Sequence, residues 1–184
     1  IMIQVFDNII PIDLQNTLEK ECKQKMDWYY INNIGSTSAK DFKPGLTHGF
    51  ENIRPNFIPA ANAHYFKYFS LNILYFLSKE MNFYIDKVLA GRFFMHLPGN
   101  ELNKKDHIHT DFDFPHWVCL YYVTDSEGDT ILFKNDKKTE IQRISPKKGR
   151  LAFFDGSIPH CSSRPKDTTR IILNIDFLIK EING

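Results

Sequence analysis

Cysteine is scarce in this chain: three residues, Cys22, Cys119 and Cys161, with no CxxC spacing. So sparse and odd a set argues against a disulfide framework or a zinc knuckle, and it fits a reducing compartment such as the cytoplasm. Cys161 reads as a packing residue. A surplus of one charge is also lacking. Lys plus Arg number 23 against 22 Asp plus Glu, a net charge of +1, so no overall field draws the chain to nucleic acid or a membrane. No apolar run approaches a membrane span, and no charged-then-apolar leader opens the sequence. Repeats and low-complexity segments are missing too. What is plentiful is aromatic: 16 Phe and 8 Tyr, rings that favour strands and bury much surface. With 184 residues, 42% apolar and 24% charged, a single globular domain over 1–184 is expected.

The first 85 residues read as helical support plus a loop, and residues 86–180 as a strand-rich core. In Pro11–Lys25, Leu14, Leu18 and Cys22 fall four apart on one face, with Asp13 near the favourable end of the helix dipole. Residues 32–57 hold Asn, Gly, Ser and Pro without a period and read as a long, functional loop. Over 60–81, Phe66, Phe69, Ile73, Phe76 and Leu77 recur at helical steps. Beyond residue 83 come candidate strands at 88–97, 107–111, 116–123, 129–134, 138–144, 149–154, 157–161 and 169–179, parted by turn clusters. Eight short strands suggest a jelly-roll. In 170–179 the odd residues Ile171, Leu173, Ile175, Phe177 and Ile179 form an apolar face suited to packing under the helices. Arg170, Asn174 and Asp176 share the other face, the expected barrel interior, where polar groups are costly unless they serve a site.

In His109-Thr110-Asp111 an imidazole and a carboxylate lie two apart, so an extended chain points both the same way. His160 follows 49 residues after Asp111, and Arg170 ten residues later. Two histidines and one carboxylate suit Fe(II) with open positions, and they also suit zinc. His107 is a competing ligand, but it has no carboxylate two residues on.

With HWVCLYYV (116–123), EGDTILF (127–133) and GRLAFFDGSIPH (149–160), this set resembles the Fe(II)- and 2-oxoglutarate-dependent dioxygenases, especially the prolyl-4-hydroxylase-like branch. The resemblance covers about residues 88–179. It implies a mainly β fold with N-terminal helices: a double-stranded β-helix (jelly-roll, cupin-like) barrel with helices packed on the major sheet. It implies His109, Asp111 and His160 as iron ligands, and Arg170, Tyr122, Thr130 and Asn174 around 2-oxoglutarate. Fe(II), 2-oxoglutarate and O2 would be required, with ascorbate as a possible addition. Arg92, His116 and Trp117 are weaker candidates for substrate contacts, and Trp117 reads first as packing under the helices. Segments 32–57 and 99–106 would flank the mouth as a lid. Two departures stand out. Glu127-Gly128 replaces a glycine pair, and Leu97, with His96 beside it, stands where many relatives carry a tyrosine.

The implied reaction is hydroxylation of a C–H bond in a peptidyl or free amino acid, proline first, with release of succinate and CO2. A nucleic-acid demethylase of the same superfamily is an alternative, but such enzymes usually carry a second arginine where this chain has Asp176. A jelly-roll metal-binding protein without oxygenase activity is another, and it would not need Arg170, Tyr122 and Thr130 together.

Overall fold

Stretches with helical apolar period fold as helices, and the short aromatic and β-branched runs fold as strands. The computed structural model describes residues 2–34, 43–99 and 105–180. In chain order its elements are β1 (Ile3–Asp7), α1 (Ile12–Gln24), β2 (Tyr29–Ile31), β3 (Gly45–Asn52), α2 (Ala63–Met81), β4 (Tyr84–His96), β5 (Trp117–Tyr122), β6 (Thr130–Phe133), β7 (Glu140–Ile144), β8 (Arg150–Asp155), β9 (His160–Ser162) and β10 (Arg170–Lys180). The strands form two sheets, ordered β1-β8-β5-β10-β4-β3-β2 and β7-β6-β9. This is the expected jelly-roll, with both helices on the larger sheet. No helix among the described residues is long and apolar enough to cross a membrane.

The N-terminal third departs from the helix-and-loop expectation. Three of its segments are strands of the major sheet, and β3 lies inside the stretch expected to be loop. β1 and β2 are short and largely exposed, so no apolar alternation marks them. Ladder bonds to β8 and β3 hold them in place. The expected strand at 107–111 reduces to a single bridge between His109 and His160. The strand expected at 157–161 starts only at His160, after Pro159, which has no N–H to give to a ladder.

The alternation in β10 is realised as expected. Ile171, Leu173, Ile175 and Phe177 join Leu18 and Cys22 of α1 and Phe66, Ile73 and Leu77 of α2 in the main core. Ile172, on the opposite face, joins Val118, Leu120, Tyr122 and Phe154 between the two sheets. β5 splits the same way, with Cys119 and Tyr121 turned to the helices.

Phe153 anchors the helix side of the core. It is 1% exposed and stacks on Trp117 at 4.9 Å, on Phe83 at 5.7 Å and on Phe177 at 6.2 Å between centroids. Phe153→Ala is expected to lower the unfolding free energy by about 3–5 kcal/mol, measured by urea denaturation.

Candidate functional site

A reciprocal backbone pair builds the site. His109 N–H donates to the His160 carbonyl at 3.0 Å, and His160 N–H donates to the His109 carbonyl at 2.9 Å. The two residues therefore sit directly opposite, with ring centroids 4.8 Å apart. Asp106 N–H continues the pairing to Ser162 O at 2.8 Å. Two residues past His109, Asp111 sets Oδ1 3.9 Å from His109 Nε2 and Oδ2 3.3 Å from His160 Nε2.

Both imidazoles are held in one tautomer. His109 Nδ1 donates to the His107 carbonyl at 2.8 Å, and His160 Nδ1 donates to the Ile158 carbonyl at 3.0 Å. A carbonyl only accepts, so the proton sits on Nδ1 and the Nε2 lone pair is turned to the cluster. Three acceptors then converge, and Asp111 Oδ2 has no hydrogen-bond donor. Burial opposes charge on Asp111, yet the two histidines beside it hold its carboxyl below the usual range. Burial also opposes charge on His160, but Asp111 outweighs it and raises the ring's pKa. Burial, with His160 adding, lowers that of His109. A divalent cation satisfies all three acceptors without a proton, so the donor set fits the expected metal. His107 contributes its carbonyl to this arrangement; its ring is not part of the cluster.

The triad opens on a cavity of about 420 Å³, whose wall includes Arg170, Thr130, Asn174, Arg92, Phe94 and His96. Arg170 is 1% exposed. Its Nη2 donates to Thr130 Oγ1 at 2.8 Å, and its Nη1 lies 3.4 Å from His96 Nε2. Its guanidinium carbon is 5.7 Å from the Tyr122 ring centroid. Nε has no partner, and no carboxylate among the described residues pairs with this cation. The Tyr122 hydroxyl donates to Thr130 Oγ1 at 2.7 Å. Thr130 thus accepts twice and keeps its own proton to donate. Burial, then Arg170, pushes the His96 pKa well below the ordinary histidine value, leaving a neutral ring.

The other expected residues fall in different places. Arg92 and Asn174 line the cavity. Tyr122 is one step behind it, acting through Thr130. Trp117 lies outside the lining, stacked on Phe153. His116 is also outside. It is buried, with Nε2 4.0 Å from Asp176 Oδ1, and both stand behind Asp111. Burial, then the Asp111 charge, raises the Asp176 pKa well above the carboxylate range.

Both sequence departures have physical accounts. Gly128 takes the left-handed position (φ 89°), where a Cβ would come within 2.5 Å of Ser163 O. Glu127 accepts from the Lys166 and Asp167 N–H groups at 2.8 and 2.7 Å, so it ties down the neighbouring turn. His96, not Leu97, faces the cavity, because His96 is the ladder partner of Arg170. Arg54 is a further wall residue that periodicity did not flag, since it sits in a loop. Its Nη2 donates to Asp111 O at 2.6 Å. Of the expected lid, residues 35–42 and 100–104 lie outside the described residues. Their bases are joined by a buried ion pair, Lys43 Nζ to Asp106 Oδ1 at 2.6 Å, braced by Ser162.

Solved structures share this fold. A 2OG-Fe(II) oxygenase family oxidoreductase from Burkholderia pseudomallei superposes with a TM-score of 0.70 at 9% identity, over 95% of this chain and 84% of that one. A prolyl hydroxylase from Trichoplax adhaerens, in complex with a hypoxia inducible factor oxygen degradation domain peptide fragment, gives 0.65 at 14% identity, over 96% and 83%. A Pseudomonas putida prolyl-4-hydroxylase gives 0.60 at 15% identity, over 95% and 91%. No protein-family model matches the sequence, and comparison with curated proteins yields no match. The chain therefore has the fold of the 2-oxoglutarate oxygenases, prolyl hydroxylases among them.

Metal uptake should depend on pH in a definite direction. The Asp111 neighbour holds the His160 proton above the ordinary value of 6.5, and metal binding must displace it. Mn(II) affinity by calorimetry is expected to rise with pH through 6.5 and to keep rising above it. His160→Ala should weaken it by about 100-fold or more, as expected when one of three ligands is lost.

Proposed function

We propose that this chain is an Fe(II)- and 2-oxoglutarate-dependent dioxygenase that hydroxylates a C–H bond of a peptidyl or free amino acid, proline being the first to test. One observation carries the reading. A fully buried guanidinium, with no carboxylate partner among the described residues, sits in the wall of the cavity onto which a His-Asp-His cluster opens. An unpaired buried charge is strongly unfavourable, and the distal carboxylate of 2-oxoglutarate would supply its counter-ion.

His109, Asp111 and His160 would hold the metal from one side. Arg170 would grip the distal carboxylate through its planar fork, with Thr130 donating its hydroxyl proton to the same group. Tyr122 fixes Thr130 and lends its ring face to the cation. Asn174, on the same face of β10, would offer its amide to the inner end of the co-substrate. Apolar walls from Leu120, Phe154 and Ile172 would exclude water. Bound Fe(II) and 2-oxoglutarate supply the oxygen-activating chemistry, in which O2 is consumed, succinate and CO2 are released and a substrate C–H becomes C–OH. The peptide held by the Trichoplax prolyl hydroxylase supports a peptidyl substrate. Asp176, a buried acid where demethylases of this superfamily carry arginine, and the net charge of +1 speak against a nucleic-acid substrate.

Succinate formation from 2-oxoglutarate with Fe(II), O2, ascorbate and proline-containing peptides tests the reaction. Arg170→Ala should raise the 2-oxoglutarate needed for half-saturation by at least about 30-fold, roughly 2 kcal/mol of charge-assisted bonding, while Mn(II) affinity stays within twofold by calorimetry. Unchanged 2-oxoglutarate dependence would remove Arg170 from that role.

A further inference from the structure

Arg92 is a cation in the cavity wall whose charge acts on Asp111 and Asp176 from a distance, without a bond to either. Among the described residues no hydrogen bond or ion pair occupies its guanidinium, whose carbon lies 5.4 Å from the Phe94 ring centroid. Stacking of this kind covers the flat face and leaves the N–H edges free. On β4, Arg92 pairs with Asn174 across the ladder, and His96 pairs with Arg170. Four residue steps along the strand separate the two positions, about 13 Å along the sheet. Arg92 thus stands well away from the point where Arg170 would take the distal carboxylate of 2-oxoglutarate.

Two further observations say what Arg92 faces. Arg54, from the loop after β3, lines the same cavity. Its guanidinium is fixed over Phe112, 5.1 Å from the ring centroid, while one nitrogen donates to the Asp111 carbonyl at 2.6 Å. Its remaining N–H groups are held in position beside the metal-binding segment. A second cavity of about 430 Å³ shares Ile31, Arg92 and Phe94 with the first, and Tyr29, Phe57 and Ile58 add to its walls. Ile58 is 85% exposed, an apolar side chain with no cover. Arg92 therefore marks the junction between a polar, metal-facing chamber and an apolar groove. A ligand spanning the two would meet cationic forks beside the metal and apolar surface beyond.

We propose that Arg92, supported by Arg54, is a carboxylate subsite for the substrate, and that the substrate is an amino acid with a free carboxylate and an apolar body, alone or at a peptide C-terminus. This rests on the oxygenase reading above. The carboxylate meets Arg92 at the junction, within reach of both the metal-facing chamber and the apolar surface of Phe57 and Ile58.

The test is ligand-observed NMR on the Mn(II)- and 2-oxoglutarate-loaded protein. The probes are N-acetyl-proline, N-acetyl-leucine and N-acetyl-phenylalanine, each beside its neutral amide. At least one acid should bind, with its amide at least tenfold weaker. Arg92→Leu should weaken that acid at least tenfold and leave 2-oxoglutarate affinity within twofold. Arg92→Lys should retain part of the binding, and Arg54→Gln should weaken it less than Arg92→Leu. Amides that bind as well as acids, binding indifferent to Arg92→Leu, or no acid bound at about 10 mM would overturn the subsite. Loss of 2-oxoglutarate affinity in Arg92→Leu would also overturn it, by assigning Arg92 to the co-substrate. If wild type takes up neither Mn(II) nor 2-oxoglutarate, the oxygenase reading fails; saturation transfer from protein to probe still reads the acid-amide contrast on its own.

Discussion

A guanidinium buried between two sheets, with no carboxylate in contact among the described residues, is the constraint around which the site is arranged. Arg170 enters from β10, and the groups that make its burial tolerable come from other strands: Thr130 from β6, the Tyr122 ring from β5 and the His96 ring from β4. None of them carries a negative charge. The shell positions the cation without neutralising it. A structural arginine would be expected to have a carboxylate of its own. One that lacks it, in a cavity wall shared with convergent acceptors, is suited to a ligand that brings the charge.

The acceptors at the triad present the complementary problem. Two Nε2 lone pairs and a carboxylate face one another because backbone bonds between His109 and His160, and Nδ1 bonds to two carbonyls, allow no other arrangement. Among the described residues, one part of the cavity therefore presents convergent acceptors without a donor between them, and another a cation without a carboxylate in contact. A metal chelated by a dicarboxylate corrects both at once. The jelly-roll brings the two parts together by crossing β10 between β5 and β4, while the minor sheet carries His160 and Thr130.

Much of this was legible in the residues, for reasons that differ by element. The face formed by Ile171, Leu173, Ile175, Phe177 and Ile179 is long and wholly apolar, while Asn174 and Asp176 mark the other, so its orientation follows from period. The ligands were marked by residue type and by a family resemblance, since nothing local says that His109 and His160 are neighbours. β1 and β2 were not legible because exposed edge strands carry no apolar code and depend on partners far away in sequence. His96 was passed over in favour of Leu97 because parity at the end of β4 is set by its ladder with β10, not by the Pro98-Gly99 turn. Trp117 and His116 show the converse. Their chemistry invited a substrate role, but Trp117 takes the packing place under the helices that its sequence also suggested, and His116 stands behind Asp111. Arg54 could not be found by pattern, because loops have none.

The most direct test compares two 2-oxo acids on the Mn(II)-loaded protein by calorimetry. 2-Oxoglutarate and 2-oxobutyrate share the chelating end and differ in the distal carboxylate. If Arg170 awaits that carboxylate, 2-oxoglutarate binds at least about 30-fold more tightly at equal metal occupancy, as a buried charge-assisted pair requires. Equal affinities would contradict the account and leave the buried arginine without its ligand.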